Sequence, residues 1–182
     1  IGSVCRAMAN FGLHDLVLVA PQCVTGWDEA SIMAVHADTI LQQRREVNTL
    51  EEAVADCVAV AGTTARLGLY RQHVKSPREA APALLALTAG GRVALVFGRE
   101  DKGLLNEEVA ICTHLLRIPA HTDYVSLNLA QAVLACTYEL FLAKGAYEAP
   151  LEKSPAAAAA HRVRLLQMWR QMLLTIGFMP AE

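Results

Sequence analysis

The chain has few aromatic residues and no long uninterrupted apolar stretch. Aromatic side chains make up 5% of its 182 residues, although 54% of the residues are hydrophobic. Charged or polar residues interrupt each apolar run before it reaches the roughly 18 residues of a membrane-spanning helix, so we expect a soluble protein with no membrane partner. The hydrophobic residues are mainly Ala, Val and Leu, which is typical of a parallel sheet covered by helices.

The cysteines and histidines lack the spacings of metal and disulfide sites. The five cysteines are an odd number and include no C-x-x-C pair. The six histidines include no H-E-x-x-H or comparable ligand cluster. The sequence therefore predicts reduced core thiols in a cytoplasmic protein, favoured over a disulfide framework, and no metal site.

Two phosphate-binding fingerprints are also absent. Residues 98–104, GREDKGL, have the glycine spacing of a P-loop, but Leu104 and Leu105 stand where that motif needs Lys and then Ser or Thr. Neither Gly62 nor Gly98 is followed by the further glycines of the dinucleotide fingerprint. The sequence thus indicates neither a nucleoside triphosphate site nor a nicotinamide site.

The chain also lacks an excess of positive charge. Its formal net charge is −2 and its pI is about 6.3, whereas nucleic-acid-binding domains are usually basic. Composition alone therefore does not indicate an RNA partner. Six basic residues nevertheless fall in loops that we expect near one ligand site: Arg66, Arg71, Lys75, Arg78, Arg99 and Lys102.

Short apolar runs alternate with helical patterns along the chain. Residues 15–21, 57–62, 93–97 and 114–119 predict buried strands, and residues 40–43 (ILQQ) predict a further short strand. The first of these runs is almost wholly apolar and is expected to be buried on both faces. The alternation predicts an α/β fold, with a mostly parallel sheet of five or six strands and helices on both faces.

Two strand-to-helix connections carry polar groups. Gly98 ends one apolar run, and Glu100 lies in the turn that follows it. Ser126 and Asn128 open a long apolar helix after another run, with Asn128 and Gln131 spaced as a capping box. Because parallel strands end at the same edge of a sheet, these groups are expected to border one crevice there.

Three ordered motifs carry a resemblance to a known family. They are IGSVCRAMANFG at residues 1–12, FGREDKGL at 97–104 and SLNLAQAV at 126–133. Together they resemble the SpoU/TrmH family of RNA ribose 2′-O-methyltransferases, within the SPOUT class. Residues 61–66 (AGTTAR) and 173–180 (LLTIGFMP) are similar to the TrmJ-like branch, which methylates a ribose in the tRNA anticodon loop.

The resemblance implies a fold and a cofactor site. The fold would be a SPOUT α/β knot, in which the C-terminal segment passes through an earlier loop as a trefoil knot. S-adenosylmethionine would bind at that knot, with adenine between Ile118 and Leu127. By resemblance, the cofactor-binding residues are Thr63, Thr64, Ala65, Gly98, Ile118, Ser126, Leu127 and Asn128.

The resemblance also implies catalytic and RNA-binding residues. The catalytic set would be Arg6, Glu100, Ser126 and Asn128. A guanidinium stays protonated at neutral pH and is a poor base, so we expect Arg6 to hold the phosphate beside the target ribose and to stabilise the developing alkoxide. Glu100 would orient Arg6 or the ribose, while Ser126 and Asn128 would hold the loop and the cofactor. The RNA-binding set would be Arg66, Arg71 and Arg99.

The domain organisation follows the same comparison. We expect a methyltransferase domain at residues 1–144, a linker at 145–155 and a helical extension at 156–182. In the family an apolar strand and an Asn precede the segment matching Ile1 and Gly2, so a first strand is expected upstream. The extension has an apolar stripe that must dock on the body or on a second subunit, and family members pair through the knot, so a homodimer is expected.

Three alternatives stay open from the sequence. The chain could be an RNA-binding relative that has lost catalysis, or a ribose methyltransferase of rRNA instead of tRNA. It could also be an α/β enzyme of small molecules, although the missing phosphate fingerprints disfavour that class.

Overall fold

A computed structural model describes residues 1–22, 27–66, 68, 73–145, 147–148 and 157–180. The chain divides into two compact units, Ile1–Tyr147 and Glu148–Glu182. Of the predicted linker at residues 145–155, only residues 145, 147 and 148 are among the described residues. Each unit is therefore described by itself.

The first unit alternates helices and short strands. Its strands are β1 (Val17–Val19), β2 (Arg45–Val47), β3 (Cys57–Thr63), β4 (Arg92–Val96) and β5 (His114–Leu116). Its helices are α1 (Gly2–Asn10), α2 (Asp28–Ala34), α3 (Asp38–Gln42), α4 (Leu50–Val54), α5 (Pro77–Leu87), α6 (Asn106–Ile111) and α7 (Leu129–Ala143). Helices α2 to α6 lie between successive strands along the chain, as in other α/β proteins, and α1 and α7 pack against each other.

The described strands form two parallel groups. One group pairs β1 with β2, and the other has the order β4-β3-β5, with every pairing parallel. The prediction of an α/β fold with parallel strands is confirmed. Helix α5 begins with a capping box formed by Ser76 and Glu79, and Thr49 caps α4.

The prediction of a strand at residues 40–43 is wrong. Residues Asp38–Gln42 form helix α3, and the strand begins only at Arg45. Ile40 and Leu41 are adjacent in sequence and both buried, in a core shared with α1. Adjacent side chains of a strand point to opposite faces, whereas in helix α3 the side chains of Ile40 and Leu41 both join the core shared with α1.

A broad cleft separates the two strand groups. A cavity of about 1680 Å³ lies between β1 and β4, and apolar side chains from those strands and from α1, α5 and α7 line most of it. At one end, Arg92 forms ion pairs with Asp15 and Asp56, the latter at 2.8 Å, so side chains bridge the strand groups there. The cleft leaves one edge of β1 and one edge of β4 without a described strand neighbour.

Strand burial differs according to the neighbours that each strand has. The middle of β3, which has a strand on each side, is fully buried at residues 59–62. The apolar residues of β4 are only half-buried, and Val19 in β1 is 38% exposed. The prediction that the first apolar run is buried on both faces is therefore wrong, because the cleft opens beside it.

The described part of the second unit is helix α8 (Ala159–Thr175). The helix was predicted, and so was its apolar stripe. Most of the stripe is exposed, with exposed fractions between 53% and 65% at Val163, Leu166, Trp169, Met172 and Ile176, whereas Leu173 is half-buried. No helix within the described ranges is long and apolar enough to cross a bilayer.

Candidate active site

The loop that follows β4 folds back tightly on itself. The amide of Gly103 donates to the carbonyl oxygen of Arg99 at 2.7 Å, and Gly103 has a φ of +65°, a conformation that favours glycine. A Cβ at Gly98 would overlap with the backbone of Gly103 and of Leu104. Only glycine therefore lets the two ends of the loop meet, and bare backbone borders the space beside β4.

An ion pair fastens this loop to the start of α6. Arg99 donates to both carboxylate oxygens of Glu108, at 2.9 and 3.2 Å. The Glu108 carboxylate also accepts from the backbone N–H of Leu105 at 2.7 Å, which satisfies one of the otherwise unpaired donors at the helix start. The loop is thus held through its side chains as well as its backbone.

A second polar contact fastens the loop to the start of α7. The Asn128 Nδ2 donates to Glu100 Oε1 at 2.7 Å, and Asn128 Oδ1 accepts from the N–H of Ala130 at 2.9 Å. Asn128 therefore caps α7, as predicted, but with Ala130 as the described partner of its side chain in place of a capping box with Gln131. The Asn128 side chain therefore links the two strand-to-helix connections that the sequence predicted.

A pocket of about 330 Å³ lies between these connections at the carboxyl ends of β3, β4 and β5. It is bordered by Glu100 and by seven of the eight residues predicted to bind the cofactor: Thr63, Thr64, Ala65, Gly98, Ile118, Ser126 and Leu127. The eighth, Asn128, is hydrogen-bonded to Glu100. Val125, Leu129 and Ala132 add apolar surface that the motif comparison did not indicate.

The threonines of the pocket shape its backbone. The Thr63 hydroxyl donates to the carbonyl oxygen of Val96 at 3.1 Å and so joins the ends of β3 and β4. The Thr64 amide donates to the Leu116 carbonyl at 2.9 Å, and its hydroxyl oxygen accepts from the Arg66 amide at 3.1 Å. Three strand ends are therefore held together at the pocket.

A cysteine lies beneath the loop. The Cys112 thiol packs so closely on Gly62 that a Cβ there would collide with its sulfur, and the Leu104 side chain is the next neighbour. Burial raises the pKa of Cys112 to about 11, with the nearby Glu108 carboxylate acting in the same direction. The thiol is therefore neutral at physiological pH and behaves as a core side chain.

The predicted arginines have different surroundings. Arg66 and Arg99 border the pocket, but the guanidinium of Arg99 is already paired with Glu108. Arg6 is exposed on α1 and, among the described residues, is not part of the pocket wall. Arg71 lies outside the described residues. Their functional roles stay predictions.

Glu108 is the residue that sequence reasoning missed. Its position in the first turn of α6 indicated only a favourable interaction with the helix dipole. Arg99, nine residues earlier, could have been considered as its partner, but nothing in the sequence selects that pairing over a solvent-exposed arginine.

Solved structures with the same architecture define the class of protein. The SpoU methyltransferase AviRb from Streptomyces viridochromogenes, in complex with AdoMet, aligns with a TM-score of 0.60 at 19% identity over 80% of this chain and 56% of that chain. This likeness shows the fold. TrmJ from Z. mobilis is more similar, with a TM-score of 0.72 and 36% identity over 98% of this chain and 76% of that chain.

The sequence comparison identifies the family. Residues 1–138 match the SpoU rRNA Methylase family, and the chain belongs to that family. The tRNA (cytidine/uridine/adenosine-2′-O-)-methyltransferase TrmJ of Pseudomonas aeruginosa is 46% identical over 79% of this chain and 56% of its own length. An uncharacterized tRNA/rRNA methyltransferase of Haemophilus influenzae is 44% identical over 79% of this chain and 58% of its own length. The chain thus spans somewhat more than half the length of these two relatives.

Proposed function

We propose that this chain carries the catalytic domain of an S-adenosylmethionine-dependent methyltransferase that modifies a ribose 2′-hydroxyl of tRNA, in the anticodon loop. The observation that carries the proposal is the pocket at the strand ends. Seven predicted cofactor residues border it, and Glu100 is hydrogen-bonded there to Asn128. The relatives called TrmJ are named as tRNA 2′-O-methyltransferases, which supports a tRNA ribose as the substrate.

The residues present fit this cofactor. Ligand pockets usually measure about 300–1,000 Å³ and combine apolar walls with a few polar groups, and the pocket of about 330 Å³ has that character. Ile118 and Leu127 offer apolar surface for adenine, and the bare backbone at Gly98 offers peptide groups. When bound, S-adenosylmethionine supplies an electrophilic methyl group on a sulfonium.

The side chains of the chain would align and stabilise the nucleophile. Glu100 is held by Asn128 at the edge of the pocket, where its carboxylate can orient the ribose or a guanidinium. Ser126 and Asn128 would hold the loop and the cofactor. Arg6 would hold the adjacent phosphate and stabilise the oxyanion as the 2′-hydroxyl loses its proton. Arg66 and Arg71 are the proposed RNA contacts, whereas the guanidinium of Arg99, which the resemblance also assigns to RNA, is already paired with Glu108.

The assembly is proposed to be a knotted homodimer in the cytoplasm. The Asn128–Glu100 hydrogen bond, which brings the start of α7 against the loop after β4, is consistent with a trefoil knot there. Exposed apolar side chains on α7, including Leu134, Tyr138 and Leu142, support pairing through that helix. The exposed stripe of α8 is a second surface that an assembly would cover.

The cleft between β1 and β4 supports the predicted additional strand. Both strand edges are apolar, half-buried and without a described neighbour, and Ile1 at the start of α1 borders the same cleft. A strand in this position, leading into α1 and then β1, would make a parallel β-α-β unit and a continuous sheet. We propose that a segment directly preceding Ile1 occupies the cleft.

Methyl transfer to unmodified tRNA tests the activity. The chain is incubated with S-adenosylmethionine and a tRNA transcript, and nucleosides are analysed by mass spectrometry for 2′-O-methyl products. We expect ribose methylation that Arg6→Ala abolishes and Asn10→Ala, at another exposed position of α1, leaves unchanged.

Other outcomes overturn parts of the proposal. Preferred methylation of an rRNA fragment would favour the rRNA alternative. Binding of tRNA without transfer would favour a relative that has lost catalysis. Failure to bind S-adenosylhomocysteine in calorimetry, together with binding of a nucleotide, would favour an enzyme of small molecules.

A further inference from the structure

We propose that Glu108 is a positioning residue for Glu100, acting through Arg99. The inference rests on the proposed function, since it concerns the alignment of a side chain at the methyl-transfer site. Glu108 contacts neither Glu100 nor Asn128 in the described hydrogen bonds, and it does not border the pocket. Its influence would therefore pass through the loop.

The contacts of Glu108 exceed what a helix start requires. A carboxylate at this position commonly accepts one backbone N–H, and here it accepts that of Leu105 at 2.7 Å. The same carboxylate also receives both Nη1 and Nη2 of Arg99. A bidentate pair fixes the orientation of the guanidinium plane as well as its distance, so Glu108 sets where the Arg99 side chain lies.

The position of Arg99 determines the position of Glu100. The two residues are adjacent, and the turn around them is closed by the Gly103 amide on the Arg99 carbonyl at 2.7 Å. The Glu100 carboxylate is held from its other side by Asn128. Glu100 is therefore fixed between two anchors, one at the start of α6 and one at the start of α7.

Burial of the carboxylate supports this role for the ion pair. The side chain of Glu108 is 18% exposed, whereas that of Arg99 is 53% exposed. Glu108, in the first turn of α6, is therefore the more constrained partner, and the Arg99 side chain extends from the loop to pair with it. A phosphate contact by Arg99 would compete with this pair, so Arg99 holds the loop instead of binding RNA.

Steady-state kinetics of Glu108→Gln test the inference. Glutamine can still accept the Leu105 N–H, but it loses the charged bidentate pair. Because misplacement of a reacting group slows the chemical step, we expect kcat to fall about tenfold while KM for tRNA and the Kd of S-adenosylhomocysteine change less than about twofold. Glu107→Gln is the matched control, since it removes the same charge from an exposed neighbour on α6.

A double-mutant cycle separates this role from a general loss of structure. If Glu108 acts through Arg99, then Arg99→Gln lowers kcat by a similar factor and the double variant is no slower than either single variant. Thermal unfolding identifies a single variant that fails to fold. In that case the kcat of the other single variant tests the inference. An Arg99→Gln variant with unchanged kcat, raised KM for tRNA and a weaker salt dependence would contradict the inference and show a phosphate contact.

The two proposals fail in different ways. If the wild-type chain neither binds S-adenosylhomocysteine nor transfers methyl groups, the proposed function itself is wrong. If the wild type is active and Glu108→Gln behaves like Glu107→Gln, only the role of Glu108 is wrong.

Discussion

The first unit contains two cavities of opposite character. The pocket beside Gly98 measures about 330 Å³ and is bordered by strand ends, glycine backbone and hydrogen-bonded polar side chains. The cleft between β1 and β4 measures about 1680 Å³ and is lined mainly by apolar side chains and strand edges. The larger cavity has the features of an incomplete core, and the smaller has those of a chemical site. Size alone would favour the cleft, whereas the proposed site is the smaller pocket.

The comparison shows what each cavity lacks. In the pocket, Asn128 already donates a hydrogen bond to Glu100, and a ligand would add contacts to side chains that are held in place without it. In the cleft, the half-buried strand β4 contrasts with its fully buried neighbour β3, although both have apolar sequences. We propose that polypeptide fills the cleft and completes the sheet, and that a ligand with polar and apolar parts occupies the pocket.

Filling the cleft should have the largest effect on stability. The chain is extended before Ile1 by a designed strand, Val-Ile-Val-Leu-Val, and compared with an extension of five Gly and Ser residues. Burying each of these side chains contributes about 1.5–3 kcal/mol, so we expect Tm to rise by roughly 10 °C or more. Slower amide hydrogen exchange in β1 and β4 would accompany it. Equal Tm values for the two extensions would show that the cleft takes no strand.

Substituting Gly98 should damage the pocket most. In Gly98→Ala the new Cβ would overlap with the backbone of Gly103 and Leu104, so the loop must open. We expect methyl transfer to fall at least about 100-fold, because small displacements of aligned groups have effects of that size. Gly90→Ala is the matched control, since its Cβ would lie 3.6 Å from the Leu87 carbonyl oxygen. Equal activities of Gly98→Ala and Gly90→Ala in the methyl-transfer assay would show that methyl transfer does not require the tight loop.

Two substitutions of Asn128 separate its cap from its contact with Glu100. Aspartate is as good a helix cap as asparagine, but it cannot donate to Glu100 and places two carboxylates side by side. We therefore expect Asn128→Asp to lower methyl transfer about tenfold with little change in Tm. Asn128→Ala should lose both activity and about 1 kcal/mol of unfolding free energy. A fully active Asn128→Asp variant would show that the contact with Glu100 is dispensable.

Thiol labelling should give the smallest effect and report on the closed loop. Burial raises the pKa of Cys112 to about 11 and that of Cys136 to about 12, so both thiolates are rare at pH 8 and become populated only as the pH rises. Burial and the Asp56 carboxylate also raise the pKa of Cys57, but less far, so we expect iodoacetamide at pH 8 to label Cys57 before either of them. Peptide mass spectrometry measures the order. Early labelling of Cys112 in the wild type would contradict a closed loop.

Local sequence signals predicted much of the fold. Strands β1, β3, β4 and β5 each overlap with a predicted apolar run, and Asn128 caps α7 through a contact only two residues away. The segment 40–43 was misjudged because its burial depends on α1, which is distant in sequence. The exposure of β1 likewise depends on a distant part of the chain, because the cleft separates β1 from β4.

The candidate site was predictable to the extent that it follows from motifs. The resemblance named the residues that the structure gathers around the pocket, yet the physical links between them are long-range. Asn128 and Glu100 are 28 residues apart, and the partner of Arg99 could not be chosen from sequence. Among the described residues Arg6 is not part of the pocket wall, so its place at the site rests on the proposed homodimer.

A crystal structure of the chain grown with S-adenosylhomocysteine tests the central claim most directly. The account predicts ligand density in the smaller cavity, with the adenine between Ile118 and Leu127 and the sulfur near the Glu100–Asn128 pair. Density in the cleft between β1 and β4, or an ordered ligand that does not touch Gly98, Ile118 or Leu127, would contradict it.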